Sequence, residues 1–228
     1  MKDKQDKKNE RRGEFYWINE KPYVSVTNVL KILDKPALRY WYGDQVYNAM
    51  IINPNLSRQE ALSAPYKTTG KAQERGKTIH SLIEAYKKTG AVIDTVPEHL
   101  KGYANAFYSW VGGNKIEIVE NEKTVINEDY KYAGTLDLLV RVNGGDYLID
   151  AKTGKDIYLE STLQLSAYQK ALGGIAPKIG VLLLKEDGEY KFATVNPRFD
   201  VFLNCKALWE WMNEDLIKQV GYEGENYA

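Results

Sequence analysis

Three stretches rich in strand-forming residues, 116–126, 131–142 and 147–151, follow one another with only turn signals between them, Asn127-Glu128-Asp129-Tyr130 and Asn143-Gly144-Gly145-Asp146. This spacing leaves the chain little choice, because connections so short return a strand antiparallel to the one before it. Elsewhere the apolar residues recur at helical spacing, as in Ile79, Leu82, Ile83 and Tyr86, or in Phe202, Cys205, Trp209, Met212 and Leu216. The order of helices, antiparallel strands, helix, strand and helix predicts an α/β domain.

The punctuation residues refine this order. A short strand is expected over 16–23, then a helix opened by Ser25 and Thr27 and broken at Pro36. An aromatic helix follows over 37–50, ended by Asn53-Pro54-Asn55, and a short helix over 57–64 leads into a loop over 68–71. Helices are expected over 72–88, ended by Thr89-Gly90, and over 99–111, stopped by Gly112-Gly113. Beyond the meander the pattern gives a helix over 160–172, strands over 178–184 and 190–195, and a last helix over 199–218, whose tryptophans read as core. Residues 1–14, lysine-rich but interspersed with acids, read as a disordered tail. Residues 15–228 read as one domain, with a helical N-terminal lobe over 15–70 and a core over 71–228.

Composition excludes several classes. No apolar run approaches the roughly 18 residues of a membrane span, and the N-terminus lacks the apolar segment of a secretory signal. The single cysteine, Cys205, allows no internal disulfide and no iron–sulfur cluster held by cysteines, and a reducing, cytoplasmic setting is expected. Net charge is zero, so it points neither toward nor away from a polyanionic partner.

The meander carries the chemistry. A two-residue turn at Gly144-Gly145 would set Asp137 opposite Lys152 and Asp150 opposite Leu139, with all three charged groups on one sheet face. Leu136, Leu138, Val140 and Val142 would form the apolar opposite face. A turn centred on Glu128-Asp129 would bring Glu120 opposite Asp137 as a third carboxylate. An Asp-x-Lys on a strand is by itself most often a solvated ion pair. Two carboxylates forced together, however, repel one another, and a hard cation such as Mg²⁺ relieves that repulsion while keeping water positions open. Such a centre, with a lysine beside it, suits attack on a phosphodiester. His80 and Glu84 share a face of one flanking helix, and Gln164 and Tyr168 share a face of another.

These residues resemble a known family. Gly134-Thr135-Leu136-Asp137, Asp150-Ala151-Lys152 and Gln164-Leu165-Ser166-Ala167-Tyr168, with His80 upstream, are similar to the GxxD, (D/E)xK and QxxxY motifs and the preceding histidine of the RecB-like branch of the PD-(D/E)XK nucleases. The opening Val24-Ser25-Val26-Thr27-Asn28-Val29-Leu30, followed by Trp41, resembles phage exonucleases and the mitochondrial genome maintenance exonuclease. The resemblance implies a restriction-endonuclease-like core, a central mixed sheet flanked by helices. It also implies metal ligands at His80, Asp137, Asp150 and the Ala151 carbonyl, with Glu120 as a further candidate. Lys152 would be catalytic. Gln164 and Tyr168 would hold DNA or brace the site.

Lys155, Arg75 and Lys77 are candidate phosphate contacts, and Tyr40 and Trp41 could stack on bases. The expected function is a Mg²⁺- or Mn²⁺-dependent DNA exonuclease of phage or bacterial recombination and repair, acting alone or beside a separate helicase, recombinase or single-strand-binding protein. A structure-specific endonuclease with the same centre, or a non-catalytic DNA-binding module, are the alternatives. Loss of DNA binding on chelation without turnover would single out the last.

Overall fold

The computed structural model describes residues 9–93, 95–142, 144–154, 156–173 and 178–224. An N-terminal meander, β1 (Asn9–Arg12), β2 (Phe15–Ile18) and β3 (Lys21–Ser25), turns at Asn19-Glu20, both at positive φ. The tail expected through residue 14 is therefore strand from Asn9, paired to β2. Then come α1 (Val26–Val29), a single 3-10 turn, α2 (Pro36–Ile52) and α3 (Arg58–Thr89). After α4 (Lys101–Asn114) the predicted strands appear as β4 (Ile116–Asn127), β5 (Tyr132–Val142) and β6 (Gly145–Lys152). They are followed by α5 (Leu159–Ala171), β7 (Lys178–Leu184), β8 (Tyr190–Val195), α6 (Phe199–Met212) and α7 (Glu214–Val220).

The loop expected over 68–71 does not form, because α3 runs through it as one 32-residue helix. Ser57 and Glu60 close a capping box at its start, and Gly90, at a φ of 66°, ends it with its N–H bonded to the Tyr86 carbonyl. Pro65 gives up one intrahelical bond without breaking the helix. The boundary drawn at residue 70 thus falls inside one element. Gly112-Gly113 likewise stays helical, since Asn114 Nδ2 caps the Trp110 carbonyl and Lys115 supplies the left-handed residue.

All eight strands form one mixed sheet in the order β1-β2-β3-β5-β6-β7-β8, with β4 paired to the other edge of β5. β3 runs parallel to the start of β5, at Tyr132 and Ala133, and β6 runs antiparallel to its end, from Leu138 to Val142. One edge of β5 is therefore shared by two strands, with a notch between them at residues 134–137.

Each sheet face is covered by helices. On one side α1, α5 and α6 bury Val26, Leu165, Phe202 and Trp209 against Leu136, Leu148, Ile179 and Val181. On the other α3 and α4 bury Ile79, Leu82, Phe107 and Trp110 against Leu138, Val140, Ile149 and Leu182. Strict alternation would have set Leu136, Leu138 and Val140 on one face, as the sequence suggested. Leu136 lies on the α5 side instead, so the alternation slips at Asp137.

Two further expectations change at the periphery. The last helix breaks at Asn213, and Trp211 and Met212 are exposed, so only Trp209 of that pair is core. α2 buries none of its residues and leans on the first half of α3, with Trp41 edge-on to Tyr42 and Tyr42 edge-on to Tyr66. A Lys35–Glu160 ion pair of 2.7 Å ties its base to α5.

Candidate active site

The β5–β6 ladder runs from Val142–Gly145 to Leu138–Ile149 and stops. Carried one step further, that register sets Asp137 directly across from Asp150. The turn is centred one residue before the place Gly144-Gly145 would have given it, which moves every pairing partner by two. A shift of two keeps side chains on their faces, so the two aspartates meet head-on rather than diagonally. In place of the next ladder bond, Asp137 Oδ2 accepts a hydrogen bond of 2.9 Å from the Ala151 N–H.

The β4–β5 turn is also longer than expected, because the ladder closes at Asn127–Tyr132 with Asn127 Oδ1 accepting from the Tyr130 N–H. The same two-residue shift moves Glu120 away from Asp137. Glu120 pairs with Leu139 in the ladder, bonds Lys87 at 3.3 Å and Lys123 at 3.5 Å, and is not part of the acidic cluster. Glu122 falls opposite Asp137 in its place. Sequence reasoning missed it because two residues of turn length decided which glutamate faced the site.

His80, Glu122 and Asp137 offer ligand atoms within 4.8 Å of one another. α3 presents His80 at the margin of the stripe that buries Ile79 and Ile83. Its Nδ1 lies 2.6 Å from Glu122 Oε1, and its Nε2 lies 3.9 Å from Asp137 Oδ2. Burial would lower the histidine's pKa, but Glu122 and Asp137 outweigh it and raise it, against opposition from Lys152. Glu84 bonds Lys88 at 2.6 Å on the helix surface.

Asp150 lies outside that three-residue cluster and is 2% exposed. Its Oδ1 accepts from Lys152 Nζ at 2.6 Å, while its Oδ2 has no hydrogen-bond partner among the described residues. Burial pushes its carboxyl up to about 6; the Lys152 cation pulls it back and the Asp137 charge adds to the rise. Burial works against the Lys152 ammonium as well, but Asp150 and Asp137 prevail and raise its pKa, so it stays a cation.

The QxxxY helix supports the floor. Tyr168 is 3% exposed and lies over Gly134, where a Cβ would come within 2.3 Å of the ring. Its hydroxyl accepts from Gln164 Nε2 at 3.4 Å. Burial first, then the charge of Asp137, drives the phenol well above its ordinary pKa. Tyr168 is thus packed against the strand that carries Asp137, with little of its surface exposed. Arg75 donates to the Thr153 carbonyl at 2.8 Å and to Thr153 Oγ1 at 3.3 Å, and stacks over Tyr103. Lys77 is exposed on α3, Tyr40 is exposed on α2 and Trp41 is half-buried beside it. Lys155 lies outside the described residues.

A divalent cation fits this set. Asp150 Oδ2 is a buried carboxylate oxygen without a partner, and such an atom is costly unless something positive meets it. Asp137 and the Nε2 side of His80 add oxygen and imidazole donors of the kind Mg²⁺ or Mn²⁺ accepts.

No protein-family model matches the sequence, and no curated protein does. Among solved structures, the chain is similar to an alkaline exonuclease from Laribacter hongkongensis at 8% identity and a TM-score of 0.45, over 87% of this chain and 90% of that one. A candidate exonuclease from Eubacterium rectale is similar at 14% identity and a TM-score of 0.45, over 87% and 80%. The Laribacter enzyme in complex with dAMP is similar at 12% identity and a TM-score of 0.34, over 63% and 86%. Among the described residues no helix is long and apolar enough to cross a membrane. GxxD lies on β5, DxK on β6, QxxxY on α5 and His80 on the preceding α3, and the chain has the central mixed sheet flanked by helices that the motif resemblance implied.

Proposed function

We propose that this protein is a Mg²⁺- or Mn²⁺-dependent deoxyribonuclease that shortens DNA from its ends, in phage or bacterial recombination, repair or DNA processing. The observation that carries the reading is Asp150, a buried carboxylate with one oxygen on Lys152 and the other unpartnered beside Asp137. A protein that only bound a polyanion would have no use for clustered carboxylates facing it. The preference for an exonuclease and for this biological setting is supported by the motif resemblance.

Asp137, Asp150, the Ala151 carbonyl and His80 would hold the cation, which when bound supplies Lewis acidity toward the scissile phosphate. Lys152, half in solvent and kept protonated, offsets the charge that builds on the phosphate oxygens. The Ala151 N–H fixes the Asp137 carboxylate, and Tyr168 with Gln164 fixes the strand beneath it. Lys77 and the aromatic residues of α2, Tyr40 and Trp41, would meet backbone and bases along the approach.

The test is digestion of end-labelled single- and double-stranded DNA with Mg²⁺, Mn²⁺ or EDTA, comparing wild type with Lys152→Ala. Metal-dependent shortening that Lys152→Ala abolishes is the expected result, and the product ladder separates exonuclease from endonuclease. A folded protein that binds DNA and cuts none of these substrates overturns the catalytic reading.

A further inference from the structure

Five non-glycine residues have positive φ among the described residues, and four of them, Asn19, Glu20, Lys115 and Lys131, lie in turns or at a helix end. The fifth, Glu122, lies inside β4 at a φ of 48°. A left-handed glutamate is strained and persists only where its surroundings impose it. The ladder locates the cause. β4 and β5 pair at Lys123–Leu136 and again at Asn121–Leu138, but the intervening pair, Glu122 and Asp137, is not formed. The strained residue therefore lies across from the position where β5 loses its alternation, and both side chains of the missing pair turn to His80.

The imidazole reads the two carboxylates differently. Glu122 Oε1 is at hydrogen-bond distance from Nδ1, 2.6 Å, whereas Asp137 Oδ2 lies 3.9 Å from Nε2. Glu122 and Asp137 approach one another within 4.8 Å, yet only Glu122 is in hydrogen-bond contact with the ring, and that contact is on Nδ1. A carboxylate there fixes the proton on Nδ1 and leaves the Nε2 lone pair free, and histidines that bind metals commonly give their other N–H to such an acceptor. We propose that Glu122 is a positioning residue: it holds His80 as the Nδ1–H tautomer with Nε2 presented toward Asp137, and it is not itself a ligand. This rests on the metal-centre reading above.

The test compares full-length wild type, Glu122→Gln and Glu122→Gly, the last chosen because glycine accepts the left-handed backbone and keeps the fold. The first measurement is ¹⁵N-histidine NMR of the metal-free protein at alkaline pH, where the ring is neutral. The chain has two histidines, so a His99→Gln background isolates His80. The second is Mn²⁺ affinity by calorimetry.

Wild type and Glu122→Gln are expected to carry the proton on Nδ1, because the glutamine oxygen accepts the same bond. Glu122→Gly should give a tautomer mixture and a loss of about 10- to 100-fold in Mn²⁺ affinity without a drop in melting temperature. Glu122→Gln should lose distinctly less affinity. Equal losses in the two variants with the Nδ1–H tautomer kept in Glu122→Gln would make Glu122 a ligand and overturn the proposal. Undiminished Mn²⁺ binding by Glu122→Gly, or an Nε2–H tautomer in wild type, would overturn it alone. Failure of wild type to bind Mn²⁺ would overturn the metal-centre reading and the proposal with it.

Discussion

The carboxylate of Asp137 takes the backbone N–H of Ala151 at 2.9 Å, at the point where the β5–β6 ladder ends. A side chain thus does the work of a strand, and the two backbones separate without leaving that buried amide unpaired. The separation gives the Asp137 and Asp150 carboxylates room between strands that would otherwise pair about 4.8 Å apart.

Gly134 and Tyr168 should prove mutually dependent. A Cβ at Gly134 would meet the buried tyrosine ring at 2.3 Å. Gly134→Ala is expected to destabilise the protein by about 1–3 kcal/mol through overpacking. Combining it with Tyr168→Leu should recover part of that loss. Urea unfolding of the single and double variants measures both, and additive losses would mean that the two residues do not clash.

Proton release should accompany metal binding. The Asp150 carboxyl, pushed from an ordinary 3.8 to about 6, holds a proton in the folded state that it lacks when unfolded, so this group makes metal-free protein less stable as pH rises through that window. His80, raised above its ordinary 6.5, contributes stability that is complete below 6.5 and lost as pH climbs through its folded value. Both protons compete with a cation, so Mn²⁺ should raise the melting temperature strongly at neutral pH and little near pH 5. Melting scans with Mn²⁺ and with EDTA across this range check the sign; a metal effect that grows toward acid would contradict it.

Glu120 should be dispensable. Its partners are Lys87 and Lys123 at a partly exposed surface, where ion pairs contribute about 0–1 kcal/mol. Glu120→Gln is expected to leave cleavage rate and Mn²⁺ affinity unchanged, as steady-state kinetics and calorimetry would reveal. A loss comparable to that of Asp137→Asn would return Glu120 to the centre.

Arg75 should act on geometry rather than on DNA affinity. It bonds Thr153 twice, one residue beyond Lys152, and stacks on Tyr103. Arg75→Ala is expected to cost about 1–3 kcal/mol of stability and to lower kcat. The salt dependence of DNA binding should stay as it is, because no phosphate contact is removed. A binding slope that flattens by about one would instead assign Arg75 to a phosphate.

Local rules made much of this molecule legible. Alternating and strand-rich runs marked β4, β5 and β6, and period-3.6 runs marked the second half of α3 and α6. The convergence of Asp137, Asp150 and Lys152 was equally visible, since register errors of two residues in both ladders preserved the sheet face. What those errors did change was the identity of the third carboxylate, Glu122 in place of Glu120. Turn length depends on which residues accept positive φ, and Lys131, which closes the β4–β5 turn, is of a type that seldom does. Tertiary contacts decided the rest. Tyr168 and Arg75 carry groups suited to DNA, but the first is sealed beneath Gly134 and the second is spent on Thr153. α3 stays helical across Gly70 because its capped start and its buried C-terminal half outweigh one glycine.

The notch on β5 has a further consequence for the first residues described. β3 forms one side of it and β6 the other, so the segment before Ser25 is a jamb of the doorway rather than a leader toward it. Removing that hairpin would leave Tyr132 and Ala133 as bare sheet edge beside Gly134 and the Asp137 carboxylate, exposing the strand that carries the chemistry to pairing with a stranger.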